Sequence, residues 1–238
     1  MSNSEKLVKA GVGYNSIRRS TIKYEFFYGH VRKLQTHPPL RILSLGTGLA
    51  EYEVDLMEQL NADHRNAHIL CVDQDEKMYK LGQENLPTNS KYLNVDIRDA
   101  KFRKYLDTQT FDILLLHNIL HFLTNNSFYD ILHYARTNIS SLISLNTATI
   151  WNIKNTPPTA TPIHEDRHIV TRTVHSDESI TGDMPMSFVI PPSYEWIAKH
   201  TGSKIVFKKH KKIAAHLGIS NGQSVSFPEN VKLLLKKI

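Results

Sequence analysis

Four places in this chain carry residues whose types and spacing could do chemistry together. The stretch LRILSLGTGLAEYE (40–53) closes a short apolar run with Gly46 and Gly48, one residue apart. Glycine at a strand end lets the backbone turn sharply and lets a ligand approach with no Cβ in the way. A second apolar run, HILCVD, ends in Asp73, where a carboxylate can accept two hydrogen bonds from a ribose diol. KYLNVD ends in Asp96, where a carboxylate can accept from an adenine amino group, with Ile97 against the ring face. FDILLLH ends in His117, followed by Asn118, at the floor of the same crevice. Each feature alone has a plain structural reading, since tight turns need glycine and an aspartate after a strand commonly caps a helix. In register at four successive strand ends, they outline a nucleoside-shaped hollow.

The elements that must position these groups can be read from periodicity. Residues 1–37 are expected to be a helical cap, with apolar beats at Ile17, Ile22, Phe26, Phe27, Val31 and Leu34, ended by His37-Pro38-Pro39. Strands are expected at 40–45, 68–73, 91–96, 111–117 and 148–154, and helices at 51–60, 76–85 and 126–143. Unbroken apolar strands are buried on both faces, and alternation with helices makes a parallel sheet with crossover helices. Residues 155–192, rich in Thr, Pro, Ser and His, read as an insertion of loops and short strands. A helix at 191–202, with a proline start and a glycine stop, precedes two closing strands at 204–212 and 231–238, expected to pair antiparallel at one side of the sheet. The fold class is therefore α/β: a doubly wound, mostly parallel seven-stranded sheet with an antiparallel last strand, spanning 38–238.

In ILSLGTGLAEYE, ILCVDQDEKMYKLGQEN, YLNVDIRDA and FDILLLHNILHFL the sequence resembles the class I S-adenosylmethionine-dependent methyltransferases, which have a Rossmann-like fold. The tail, PSYEWIAKHTG followed by KIVFKKHKK and VKLLLKKI, is similar to that family's last helix and antiparallel pair. The resemblance implies that Gly46, Thr47 and Gly48 run alongside the methionine part of the cofactor and that Asp73, with Gln74 beside it, holds the ribose. It further implies that Asp96 and Ile97 hold the adenine, that His117 borders the methionine moiety, and that Tyr14 covers the cofactor. S-adenosylmethionine would then leave as S-adenosylhomocysteine. Two positions depart from the family pattern. Ser44 stands where relatives usually carry an acid near the cofactor's ammonium, with Glu51 or Glu53 as substitutes, and Ala50 takes the third small-residue place.

Methyl transfer from a sulfonium needs alignment, exclusion of water and, for weakly acidic nucleophiles, a base. His117 and His121, in LHNILHFL, are the candidate bases, because imidazole titrates near neutrality. No N/D-P-P-Y/F follows the fourth strand, and the two-lysine pattern of ribose methyltransferases is not evident, so a small molecule or a protein side chain is the expected acceptor. The basic ends leave RNA as an alternative partner: residues 1–41 carry eight Lys/Arg against two acids and 199–238 nine against one, within a net charge of +6. Ser44 leaves a second alternative, a catalytically silent domain that binds cofactor or a partner. A nicotinamide dehydrogenase would want G-x-G-x-x-G, but Glu51 occupies the third place. His164-Glu165-Asp166-Arg167-His168 formally matches H-E-x-x-H, but lies between TPPTATP and a strand-like IVTRTV instead of on a helix, so no metal site is assigned. The single cysteine, Cys71, points to a reducing, cytoplasmic compartment, and no apolar run is long enough to cross a bilayer. The sequence leaves the oligomeric state open.

Overall fold

The computed structural model describes residues 25–35, 39–117, 119, 123, 125–149, 161–165, 170–175, 185–190, 193–220 and 223–238. Helix α1 (Glu25–Val31) leads into strand β1 (Leu40–Leu45), α2 (Glu51–Ala62), β2 (Ala67–Asp73), α3 (Glu76–Gln83), β3 (Ser90–Asn94), α4 (Ala100–Asp107), β4 (Phe111–His117), α5 (Asn125–Asn138) and β5 (Ile139–Thr149). Next come β6 (Thr161–Glu165), β7 (Val170–His175) and β8 (Pro185–Ile190), then α6 (Tyr194–His200), β9 (Ser203–Ser220) and β10 (Gln223–Lys237). The main sheet has the order β3-β2-β1-β4-β5-β10-β9. Strands β1 to β5 are mutually parallel, and β10 runs antiparallel to both β5 and β9. Strand order reverses between β1 and β4, the place where a doubly wound sheet opens a crevice at its carboxyl edge.

Alternation along the strands fills two cores, one on each face. Leu40, Ile42, Ile113, Leu115 and Leu142 pack with Phe27 and Val31 of α1 and Tyr52, Leu56, Met57 and Leu60 of α2. Leu43, Leu45, Leu114, Leu116 and Ile143 face Phe102 of α4, Phe128 and Leu132 of α5, and Ile197 of α6. Each fully buried aliphatic side chain of this kind contributes about 1.5–3 kcal/mol. Arg65 fastens α1 over the first face: its guanidinium donates to the carbonyls of Val31, at 2.8 Å, at the helix end, and of Leu34, at 3.0 Å, in the turn beyond it. No described helix is long and apolar enough to cross a membrane.

Several elements differ from the sequence reading. The helix expected over 126–143 stops at Asn138, and the fifth strand starts at once, at Ile139, in place of the expected 148–154. Ile139, Leu142 and Ile143 have helical spacing, but they also suit a strand buried on both faces, and pairing with β4 and β10 decides for the strand. The third strand stops at Asn94, so Asp96 stands in the loop beyond it. Helix α4 was not anticipated; its signal is Asp99, whose carboxylate caps the backbone N–H groups of Lys101 and Phe102. The closing strands are longer than expected, β9 and β10 forming one extended hairpin. Within 155–192, the described strands form a separate sheet in the order β6-β7-β8. His164 and Glu165 lie in β6, so the backbone that would space two imidazoles one helical turn apart is missing there. Of the predicted N-terminal cap, residues 25–31 are helical, and Tyr14 lies outside the described residues.

Candidate functional site

The glycine turn after β1 has a left-handed backbone at three alternating positions: φ is +68° at Gly46, +63° at Gly48 and +58° at Ala50. An L side chain resists this conformation, which explains the two glycines. A Cβ built at Gly46 would also lie 2.8 Å from Cδ1 of Ile119, in the segment after β4. Thr47 is fully engaged in holding the turn: its hydroxyl donates to the Ser44 carbonyl at 3.1 Å and accepts from the Val72 N–H at 3.2 Å. Tyr92 of β3 donates its hydroxyl to the Gly48 carbonyl. Gly82 of α3 packs behind the turn, where a Cβ would come 2.7 Å from the Tyr92 ring and 3.0 Å from the Gly48 oxygen. Sequence reasoning missed Tyr92 and Gly82, since nothing in their local pattern separates them from ordinary strand and helix positions.

Asp73, at the end of β2, joins this turn to the next. One carboxylate oxygen accepts from the Gly48 N–H at 2.8 Å and the other from the Asp75 N–H at 2.9 Å. Asp96 lies two residues past Asn94, the β3 partner of Asp73, and Arg98 ties it to Gln74, which its guanidinium reaches at 3.4 Å. Arg98 grips the Asp96 carboxylate with its side chain at 2.6–3.0 Å and with its own backbone N–H at 2.8 Å. That grip holds the Asp96 carboxyl below the ordinary aspartate range. An adenine amino group would have to share acceptors that Arg98 already uses. Ile97 lines a cleft of about 280 Å³ with Leu45, Leu106, Ile131 and Tyr134, beside the ion pair of Arg103 and Asp130.

The opposite side of the turn is a buried polar cluster. Ser44 is 2% exposed and donates to the carboxylate of Glu53, in the first turn of α2, at 2.7 Å; Glu53 is 0% exposed. Of the two acids offered by the sequence as substitutes for a strand carboxylate, the structure delivers Glu53 to Ser44. His117 is buried at the end of β4, its Nε2 3.0 Å from the Ser144 hydroxyl of β5. Tyr52 meets the imidazole edge-on, with centroids 4.4 Å apart, and Phe27 of α1 packs on Tyr52. Ser144 and its neighbour Asn146 had no sequence signal, because their strand was expected further along. Gly46, Thr47, Gly48, Asp73, Gln74, Asp96, Ile97 and His117 all lie along the carboxyl ends of β1 to β4 and the loops that follow them. His121 lies outside the described residues.

A family model described as a methyltransferase domain matches residues 43–135, from β1 through α5. A comparison with curated proteins finds no match. Among solved structures, the chain is similar to a SAM-dependent methyltransferase from Methanosarcina mazei, with 11% identity over 91% of this chain and 98% of that one and a TM-score of 0.59. It is also similar to an S-adenosylmethionine-dependent methyltransferase from Clostridium acetobutylicum, at 13% identity, 96% and 98% coverage and a TM-score of 0.53. A third is the magnesium protoporphyrin IX methyltransferase of Synechocystis, solved with bound SAM, at 13% identity, 95% and 81% coverage and a TM-score of 0.50. At these identities the structures speak for the fold. The domain match, lying on this strand order and this glycine turn, makes residues 43–135 similar to a methyltransferase domain, and the solved structures share the Rossmann-like fold of this chain.

Proposed function

We propose that the protein transfers a methyl group from S-adenosylmethionine to a small molecule or a protein side chain. The observation that carries this reading is the Asp73 carboxylate at the end of β2, which braces the glycine turn through the Gly48 N–H at the carboxyl edge where strand order reverses. Bound cofactor would supply an electrophilic methyl on a sulfonium. The chain's own residues would do the rest. Gly46, Thr47 and Gly48 present backbone to the methionine part, Asp73 and Gln74 hold the ribose, and Asp96 and Ile97 meet the adenine. Glu53 is a buried carboxylate whose ionised form is stabilised by a nearby cation, and the cofactor's ammonium is one. His117, held by Ser144 and Tyr52, borders the methionine part and is a candidate to take a proton from the acceptor; His121 is the other.

In this reading residues 1–37, Tyr14 included, cover the cofactor, and 155–192 form the substrate-side insertion. A single buried thiol, Cys71, suits a reducing compartment, the cytosol. Calorimetry with S-adenosylmethionine and S-adenosylhomocysteine tests the cofactor assignment, and labelled methyl transfer to a panel of metabolites and proteins tests the activity. Binding of both ligands and transfer to at least one acceptor are expected. Failure of both ligands to bind the folded protein would refute the reading.

A further inference from the structure

On the sheet face covered by α1 and α2, one row of residues runs along the carboxyl edge away from the glycine turn. Leu45 pairs with Leu116, so His117 stands level with Gly46; His117 pairs with Asn146, and Asn146 with Lys232. Residues two apart on a strand share a face. Leu115 and Leu142 pack against the α2 cluster, so His117, Ser144 and Asn146 belong to that side. Asn146 is 3% exposed, and among the described residues neither its Oδ1 nor its Nδ2 has a hydrogen-bond partner. Its neighbours differ, since His117 and Ser144 bond each other. A buried carboxamide with both atoms unpaired is destabilising where it stands, and an apolar side chain of the same shape would not be.

The unpaired atoms define what would satisfy them. An amide presents one donor beside one acceptor in a single plane. Its complement is a planar edge with an acceptor beside a donor, the geometry by which asparagine takes the edge of a base. A lone hydroxyl can donate and accept, but through one oxygen, so it meets the two atoms with poorer alignment than two separate groups in a plane. Asn146 also lies on the strand that leads out toward residues 155–192, one strand from His117.

We propose that Asn146 is an acceptor-binding residue, which pairs through both amide atoms with a planar N–H/C=O edge and so selects a small lactam-type heterocycle beside His117. The proposal rests on the methyltransferase reading and adds the class of acceptor. The test uses 2-pyridone as the lactam probe and phenol as the hydroxyl control. Each is titrated into protein saturated with S-adenosylhomocysteine, and binding is followed by NMR through the Asn146 side-chain NH₂ signal, identified by its loss in Asn146→Leu. 2-Pyridone should move that signal and bind at least about tenfold more weakly to Asn146→Leu, while phenol should bind both proteins alike. Asn146→Leu should also raise Tm, by about 2–6 °C, because no structural partner is lost. A lowered Tm would show the amide paired inside the free protein, by a buried water for example, and would overturn the proposal. So would a failure of 2-pyridone to bind the cofactor-product complex, or equal binding to both proteins. If S-adenosylhomocysteine itself does not bind, the methyltransferase reading falls and this proposal with it, so the two failures are distinguishable.

Discussion

Replacing Asp73 by alanine separates a ligand-holding carboxylate from one that merely braces a loop. In the protein its two oxygens accept the Gly48 and Asp75 N–H groups at 2.8 and 2.9 Å. Bonds to a charged acceptor are worth about 1.5–3 kcal/mol each when buried, and these are part-buried, so Asp73→Ala should cost about 2–4 kcal/mol of stability. For a chain of this size that lowers Tm by about 5–15 °C, measurable by calorimetry. Losing two charge-assisted bonds to a ribose diol should separately weaken S-adenosylhomocysteine by about 2–4 kcal/mol, or about 30- to 1000-fold. A 2′,3′-dideoxy analogue resolves the two effects. It lacks the diol, so the substitution should cost it only what a looser glycine turn costs any ligand. The comparison is made by titration calorimetry below the variant's Tm. Unchanged affinity for S-adenosylhomocysteine in folded Asp73→Ala would refute the ribose assignment. Equal losses for the two ligands would reduce Asp73 to a brace.

Glu53→Gln keeps an acceptor for the Ser44 hydroxyl but removes the charge, so S-adenosylmethionine should bind about tenfold more weakly. 5′-Methylthioadenosine, which lacks the amino-acid part, should be unaffected, and a calorimetric titration in which S-adenosylmethionine keeps its affinity would discard the role given to Glu53. Gly46→Ala places a methyl at a φ of +68°, 2.8 Å from Ile119 Cδ1, and should lower stability by about 2 kcal/mol. Adding Ile119→Val, which removes that Cδ1, should restore part of the lost Tm; an undiminished Tm in Gly46→Ala alone would contradict the geometry. The Arg98 side chain, followed by its backbone N–H, lowers the Asp96 pKa in the folded protein. A carboxyl depressed on folding stabilises at and above the ordinary aspartate range, and that stabilisation is lost as pH falls through the depressed folded value. In Arg98→Ala the Asp96 titration, followed by carbon NMR of the carboxyl, should move up toward the ordinary value, and an unmoved curve would contradict the pairing.

The local pattern of residues was enough for much of the scaffold. Apolar runs such as 40–45 and 111–117 have few ways to be buried other than as central strands, and a glycine pair between strand and helix reports a backbone that other residues resist. Hence the doubly wound sheet, the turn at Gly46 and Gly48 and the strand-end position of Asp73 were legible before any coordinates. Where spacing suited two elements, as at 139–143, it could not choose, and only pairing with β4 and β10 made that segment a strand. The same limit applies to the site. Sequence places Ser44, Glu53, Asp96 and Arg98 near turns, but which acid reaches Ser44, and that Arg98 occupies Asp96, depend on how α2 and the β3 loop pack in three dimensions. Ser144, the hydroxyl beside His117, and the unpaired amide of Asn146 come from a strand distant in sequence, and neighbours across a sheet leave no mark in local periodicity.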